Sequence, residues 1–235
     1  MAGIKTGISG QINNNIVTDG LVFYVDPAYK KSWTGPNSST VNDLIGTPTG
    51  SIVNDTSGSF GDNKSFTFDG TDNRINGTSN IGITGNNIRS FSVWYKTSSS
   101  DAQIPFSLGG PTDSTAGSQF AYCINRSSET NAAVFGRTST YDTPVFTVTQ
   151  TNDGNWHNVV VTDDQSNLRI YIDTILEETT PSKTYSTSDA FTIGTWSDSN
   201  RYFNGDIGPI KVYNKTLSAS EVLQNYQAQK ERFGF

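Results

Sequence analysis

The chain has 235 residues, a formal net charge of −6, 16% charged residues and 33% hydrophobic ones. Serine, threonine, asparagine and glycine are abundant and the apolar residues come in short pieces, which excludes a helical bundle and a disordered chain and fits one turn-rich all-β domain. The basic residues are scattered, so neither a stripe for nucleic acid nor a patch for a membrane surface is present, and no apolar run is long enough to span a bilayer. A core can be closed with 13 Phe, 10 Tyr and 4 Trp. The one cysteine, Cys123, excludes an intramolecular disulfide and lies in an alternating run, where a buried inert thiol is expected. The N-terminus has no apolar segment of signal-peptide length.

In chain order, residues 1–20 carry Ile4, Ile8, Ile12 and Ile16 at a helical spacing. Gly3, Gly7, Gly10 and the Asn13-Asn14-Asn15 run oppose a helix. We read residues 1–20 as an extended arm that orders against a partner, with a floppy leader as the plain alternative. Residues 20–26 form the first expected strand, and a short one follows at 51–53. In residues 65–75, Phe66 and Phe68 share a face and Asp69-Gly70 turns the chain. Residues 90–96 set Phe91, Val93 and Tyr95 against Ser92, Trp94 and Lys96, the period of a strand. A loop at 97–101 ends that strand, and short strands are expected near 104–108, 120–124, 132–135 and 145–148.

Asp153-Gly154 then opens a run of β-branched residues that a polar cluster at 163–167 interrupts. Beyond it Leu168, Ile170 and Ile172 alternate with Arg169, Tyr171 and Asp173. Two such runs across a polar break predict an antiparallel hairpin. A strand near 190–194 follows. Asn204-Gly205 reads as a hairpin turn before a closing strand in which Ile210 and Val212 share one face. Ser218 and Glu221 form a capping box that starts a helix over 219–230, with Val222, Leu223 and Tyr226 at helical spacing. About a dozen strands at regular spacing predict a two-sheet antiparallel jelly-roll sandwich with one short C-terminal helix.

Trp156, His157, Val159, Leu168, Tyr171 and Asp173 resemble the central hairpin of laminin-G-like domains of the concanavalin A-like lectin/glucanase superfamily. Thr174 stands where that pattern has glycine. A second match is Phe66-x-Phe68-Asp69-Gly70-x-Asp72, from which Asn73 and Arg74 depart. The opening at residues 20–26 with Lys31-Ser32-Trp33 is similar to phage and marine bacterial versions of the superfamily. The ending Leu217-Ser218-x-x-Glu221 is similar to the superfamily's usual ending, and the likeness of both segments to phage versions points to a phage protein. The resemblance covers residues 20–235 and implies a sandwich domain at 21–235 behind an arm at 1–20.

Glycosidases of that fold set two glutamates on one strand face, as Glu-x-Asp-x-Glu. Glu129, Glu177, Glu178, Glu221 and Glu231 do not form that pattern. Adjacent Glu177 and Glu178 point to opposite faces of an extended chain and are expected as solvated strand-end charges. His157 is the one histidine, so no histidine cluster for zinc exists, and no Gly-x-Ser-x-Gly elbow frames a nucleophile. Phosphate-loop and dinucleotide fingerprints are missing. No catalytic residue and no cofactor are expected. The resemblance does bring in Ca2+, which some laminin-G-like domains hold at the sandwich rim, with Asp26, Asp72 and Asp206 as the candidate ligands here. Aspartates in turns equally serve local hydrogen bonds.

Sugar recognition needs an exposed aromatic platform flanked by polar groups. Trp196, Asp198, Asn200, Arg201 and Tyr202 offer one, and Arg137 with Tyr141 a second; an aromatic at a strand end equally serves packing. The expected function is binding or structural. It is that of a phage virion protein, a capsid decoration or tail-associated subunit, made in the host cytoplasm and localised to the virion. Its expected partners are other virion proteins, through the arm, and host cell-surface glycans, with a homo-oligomer compatible with either. A free carbohydrate-binding lectin module and a glycan-cleaving enzyme are the alternatives.

Overall fold

The computed structural model describes residues 15–46, 49–54, 65–77, 81–110, 112–126, 132–136, 143–145, 147–196 and 201–235. Within them the chain opens with β1 (Leu21–Val25), β2 (Thr40–Asn42), β3 (Thr49–Val53), β4 (Phe66–Asp69) and β5 (Arg74–Gly77). There follow β6 (Arg89–Lys96), β7 (Gln103–Leu108), β8 (Phe120–Ile124), β9 (Ala132–Phe135) and β10 (Thr143–Val145). The last strands are β11 (Trp156–Asp163), β12 (Asn167–Ile172), β13 (Ile175–Pro181), β14 (Phe191–Ile193) and β15 (Asn204–Tyr213), before helix α1 (Ala219–Gln227) and a 3-10 turn at Lys230–Phe233. The first sheet runs β1-β15-β6-β11-β12-β13, with β4 also paired to β15, and the second runs β10-β9-β8-β7-β14-β5-β3-β2. All the pairings are antiparallel, as a jelly-roll sandwich requires.

The alternation read from the sequence decides which side chains meet. β11 pairs with β12 in the register Val159↔Ile172 and Val161↔Ile170, and with β6 as Val159↔Val93 and Val161↔Phe91. Their aliphatic and aromatic side chains share the face that meets Phe106, Phe120 and Tyr122 of the second sheet. Phe91 stands edge-on to Phe106 at 5.3 Å and to Phe120 at 5.7 Å. Each such fully buried side chain contributes about 1.5–3 kcal/mol.

The other face of the first sheet carries Tyr24, Trp94, Val160, Lys211 and Tyr213, all buried. The C-terminal segment covers it. Ser218 Oγ accepts from Glu221 N–H while the Glu221 carboxylate accepts from Ser218 N–H, the expected capping box. The helix then ends at Gln227, short of residue 230, and the 3-10 turn continues the cover. The Trp94 ring stacks on Tyr226 at 5.2 Å and on Phe233 at 4.4 Å. Gly208 makes room for this stack, because a Cβ there would lie 3.0 Å from the Phe233 ring and 3.2 Å from Trp94 Cβ.

Several expectations need correction. Asn204-Gly205 is no hairpin turn: it opens β15, with Asn204 opposite Asp69 and Gly205 opposite Phe68. Glycine is needed there for close approach, since at φ 143° its Cβ would lie 2.2 Å from the Lys96 carbonyl oxygen. The strand expected at 145–148 is β10, at 143–145. Glu177 and Glu178 sit inside β13, an edge strand that no alternation announces because its residues are exposed or half-buried throughout. The β12–β13 turn has positive φ at both Asp173 (48°) and Thr174 (80°), the mirror-image turn that suits twisted hairpins. Residues 16 and 17, counted in the expected arm, pack on the sandwich. Ile16 and Val17 are buried, Val17 N–H donates to Asn225 Oδ1 at 2.9 Å, and Tyr213 OH donates to the Val17 carbonyl at 3.2 Å. Residues 1–14 lie outside the described residues.

Candidate functional site

Of the expected sugar platform, the indole of Trp196 is buried. Trp196 is only 8% exposed and packs on Ile104, Ala121 and Cys123. Ala121 and Cys123 alternate along β8 with the core-facing Phe120 and Tyr122, so this is the outer face of the second sheet. Their small side chains leave room for the indole. The Arg201 guanidinium stands 5.8 Å over the Trp196 ring, a cation–π contact, and its Nη1 is 3.7 Å from Cys123 Sγ. Trp196 thus packs on β8, and Arg201 and Tyr202 are half-buried. Asp198, Asn200, Arg137 and Tyr141 lie outside the described residues.

The three candidate metal ligands do not meet. Asp206 Oδ1 accepts from Thr67 Oγ1 at 2.7 Å, the Asp72 carbonyl accepts from Arg74 Nη1 at 3.2 Å, and Asp26 is held in an ion pair described below. Among the described residues, no three His, Cys, Asp or Glu side chains gather as a metal site would. His157 has its Nδ1 2.7 Å from Asp173 Oδ2 and its Nε2 3.2 Å from Asp153 Oδ1. Burial opposes the imidazolium, but the hydrogen bonds and charges of Asp173 and Asp153 prevail and raise its pKa. Glu177 is no solvated end charge, for its carboxylate accepts from Val148 N–H at 2.8 Å and Thr149 Oγ1 at 2.8 Å and holds that loop.

The described residues do form a groove, on the helix-covered side of the first sheet. Asp26 directly follows β1 and is 1% exposed. Its Oδ1 accepts from Arg232 Nη1 at 2.6 Å and Ala28 N–H at 3.0 Å, and its Oδ2 accepts from Tyr24 OH at 2.9 Å. On β15 Lys211, fully buried, donates from Nζ to Gln229 Oε1 at 2.6 Å and lies 5.7 Å from the Tyr24 ring centre. Gln229 Nε2 donates back to Tyr24 OH at 3.3 Å. Burial pushes the Lys211 ammonium down to about 7 despite the attraction of Asp26, and Arg232 adds to the fall. Burial, then the Asp26 carboxylate, pushes the Tyr24 hydroxyl well above its ordinary value.

Against this network lies a cavity of about 250 Å3, lined by Asp26, Tyr29, Gln227, Ala228, Gln229, Glu231 and Arg232. A shallower depression of about 390 Å3 shares Gln227 and Ala228 and reaches Gln224 and Asn15. The floor is fixed by the hydrogen bonds just given, and the exposed rim offers amides and a carboxylate. Side chains that both donate and accept match vicinal hydroxyls, which do the same.

A family model of laminin-G type, described as the concanavalin A-like lectin/glucanases superfamily, matches residues 69–223. The chain belongs to that superfamily. Solved structures of the same sandwich include domain 4 of AbnA, an extracellular arabinanase of Geobacillus stearothermophilus, in complex with arabinotriose. It is 16% identical at a TM-score of 0.61, over 88% of this chain and 98% of that one. Trypanosoma rangeli sialidase is 14% identical at 0.64, over 94% of this chain and 34% of its own. The botulinum neurotoxin serotype D binding domain is 15% identical at 0.64, over 90% and 51%. The chain thus spans about a third of the sialidase and half of the toxin structure, and at these identities the likeness is one of fold. No curated protein sequence matches.

Within this lectin-like sandwich, sequence reasoning singled out Asp26 only as a candidate Ca2+ ligand and missed Tyr29, Lys211, Gln227, Gln229, Glu231 and Arg232 as a cluster. One signal was present. Lys211 lies opposite the core-facing Ile210 and Val212 on the closing strand, on a face that an amphipathic helix has to cover, and a covered lysine demands partners.

Proposed function

We propose that this chain is a non-catalytic carbohydrate-binding domain whose ligand enters the groove between α1, the 3-10 turn and residues 26–29. The observation that carries the reading is the groove itself: a preorganised floor of Asp26, Arg232 and Gln229 beneath an amide-rich rim, in a superfamily of lectin-like sandwiches. Three of the four described glutamates make structural contacts, since Glu177 holds a loop, Glu178 accepts from Thr179 N–H and Glu221 caps α1. The fourth, Glu231, lines the groove beside Asp26, whose carboxylate is taken up by Arg232, Ala28 N–H and Tyr24 OH, and this supports binding over cleavage. A glycan array followed by calorimetric titration of the strongest hit tests the proposal. The double variant Gln227→Ala/Glu231→Ala should weaken that hit about tenfold, the loss of one or two hydrogen bonds. Unchanged affinity, with sensitivity to Arg201→Ala in its place, would move the site to the second sheet.

The setting we propose is a phage virion surface, with the domain displayed as a decoration or tail-associated adhesin and joined to the particle through residues 1–14. The pinning of Asn15–Val17 onto α1 supports this, because it gives such a tether a fixed root: Gln224 Nε2 donates to the Asn15 carbonyl at 3.0 Å beside the Val17–Asn225 bond. Mass spectrometry of purified particles should find the chain in many copies, and particles assembled with a chain lacking residues 1–14 should lose it. Particles without the chain would leave the free lectin module as the better reading.

A further inference from the structure

Beneath the groove a buried amine is pressed against a buried side-chain amide. Lys211 is 0% exposed and Gln229 7%, and Lys211 Nζ lies 2.6 Å from Gln229 Oε1. A carbonyl bond is about 1.2 Å long, so Gln229 Cδ stands within about 4 Å of Nζ. Reacting pairs sit at about 3–3.5 Å, so little motion separates the two. The backbone holds both residues. Lys211 is paired with Tyr24 of β1 on one side and Ser92 of β6 on the other. Gln229 N–H donates to the Tyr226 carbonyl at 3.0 Å, and the Gln229 carbonyl accepts from Arg232 N–H at 3.1 Å. A buried lysine is ordinarily matched by a carboxylate in direct contact. Here the direct partner is a neutral amide, and the carboxylate of Asp26 is one hydroxyl further on. That hydroxyl, Tyr24 OH, accepts from Gln229 Nε2 at 3.3 Å and donates to Asp26 Oδ2 at 2.9 Å. A nucleophile, a carbonyl carbon and a proton path to the amide nitrogen are thus assembled where burial keeps bulk water from the amine.

We propose that the Lys211 and Gln229 side chains join covalently, in an intramolecular isopeptide cross-link that the folded chain forms on its own. Nζ, as the free amine, adds to Gln229 Cδ. The new C–N bond replaces the bond from Cδ to Nε2, and Nε2 leaves as ammonia. One proton passes from Nζ to the departing Nε2. Asp26, which faces Lys211, and Tyr24 OH, which joins Asp26 to Nε2, hand it across and end as they began. Nothing is oxidised or reduced. The step requires an unprotonated amine, and burial supplies one by pushing the ammonium down to about 7. The product ties β15 to the start of the 3-10 turn across 18 residues of chain and locks the C-terminal cover onto the sheet. It concerns the covalent state of the groove floor and stands whether or not a sugar binds above it. The titration of Lys211 then belongs to the unlinked chain.

The test is intact-mass spectrometry of the full chain, folded and then incubated at a pH above the Lys211 value, followed by a proteolytic map. The expected mass is lower than the sequence requires by one molecule of ammonia. The map should contain a branched peptide in which residue 211 is joined to residue 229. Lys211→Met and Gln229→Glu, the second isosteric and able to hold Lys211 as an ion pair, should fold and keep their full sequence mass. Tyr24→Phe leaves both reacting groups in place and should slow the linkage about a hundredfold at an unchanged circular dichroism spectrum. Should the variants fail to fold, the map of the unaltered chain decides alone. A folded chain that keeps its full sequence mass, or one whose lost ammonia maps to another residue, would overturn the inference and leave the sugar-binding reading untouched. Linkage at the parent rate in Tyr24→Phe would overturn the proton path.

Discussion

The two outer faces of the sandwich are coded alike and finished differently. Each comes from the polar half of an alternating strand pattern. On the second sheet that half is small, Ala121 and Cys123, and one indole from a nearby loop closes it under Arg201. On the first sheet it is large and charged, with Tyr24, Trp94 and Lys211, and a helix, a 3-10 turn and a buried ion pair are needed to cover it. A face of small side chains is closed by one indole and the guanidinium above it. One that holds a lysine must be sealed with hydrogen bonds, and imperfect closure of that kind leaves a groove.

The sharpest way to break this comparison is to remove each face's tryptophan. Trp94→Ala should cost about 4 kcal/mol in urea unfolding, since it deletes the base on which Tyr226 and Phe233 stack. Trp196→Ala should cost about 3 kcal/mol and leave groove binding intact. Loss of glycan affinity in Trp196→Ala at unchanged stability would restore that residue as a platform.

Charge gives a second, smaller contrast, with opposite signs. Lys211 has a folded value of about 7, below the 10.5 of the free side chain, so the unfolded chain binds more protons between those limits. Its contribution to stability is therefore greatest above 10.5 and falls as pH drops to about 7. The pKa of His157 is raised above 6.5 by Asp173 and Asp153, so its contribution is complete below 6.5 and is lost as pH rises through the folded value. Urea midpoints measured across pH should lose the alkaline slope in Lys211→Met and the near-neutral one in His157→Asn. A parent slope that survives either change would refute that assignment.

The smallest expected effect is at the β12–β13 turn, where Thr174 holds φ 80° in place of the glycine such turns prefer. Thr174→Gly should raise stability by about 1 kcal/mol, the cost of a left-handed branched residue. No gain in thermal midpoint would mean that the Thr174 side chain compensates the strain.

The hairpin at 156–173, the strand at 89–96 and the Ser218–Glu221 cap were legible because each is a local pattern whose period or spacing states its own conformation. β13 was not, because an edge strand exposed on both sides has no alternation to read. Nor was the role of Gly205: a glycine that turns a chain and a glycine that admits a neighbouring backbone look the same until the Lys96 carbonyl is in place.

The candidate site divides in the same way. The sequence by itself determined the all-β sandwich, its capped C-terminal helix and the placing of Lys211 opposite Ile210 and Val212, since these follow from periodicity and from hydrogen bonds three residues apart. Only the tertiary structure decided that Asp26 meets Arg232, 206 residues away, that Lys211 meets Gln229, and that Trp196 packs on β8. Those partners are chosen by which surface the last helix covers. That choice is a competition between whole faces for burial, and no local pattern encodes it.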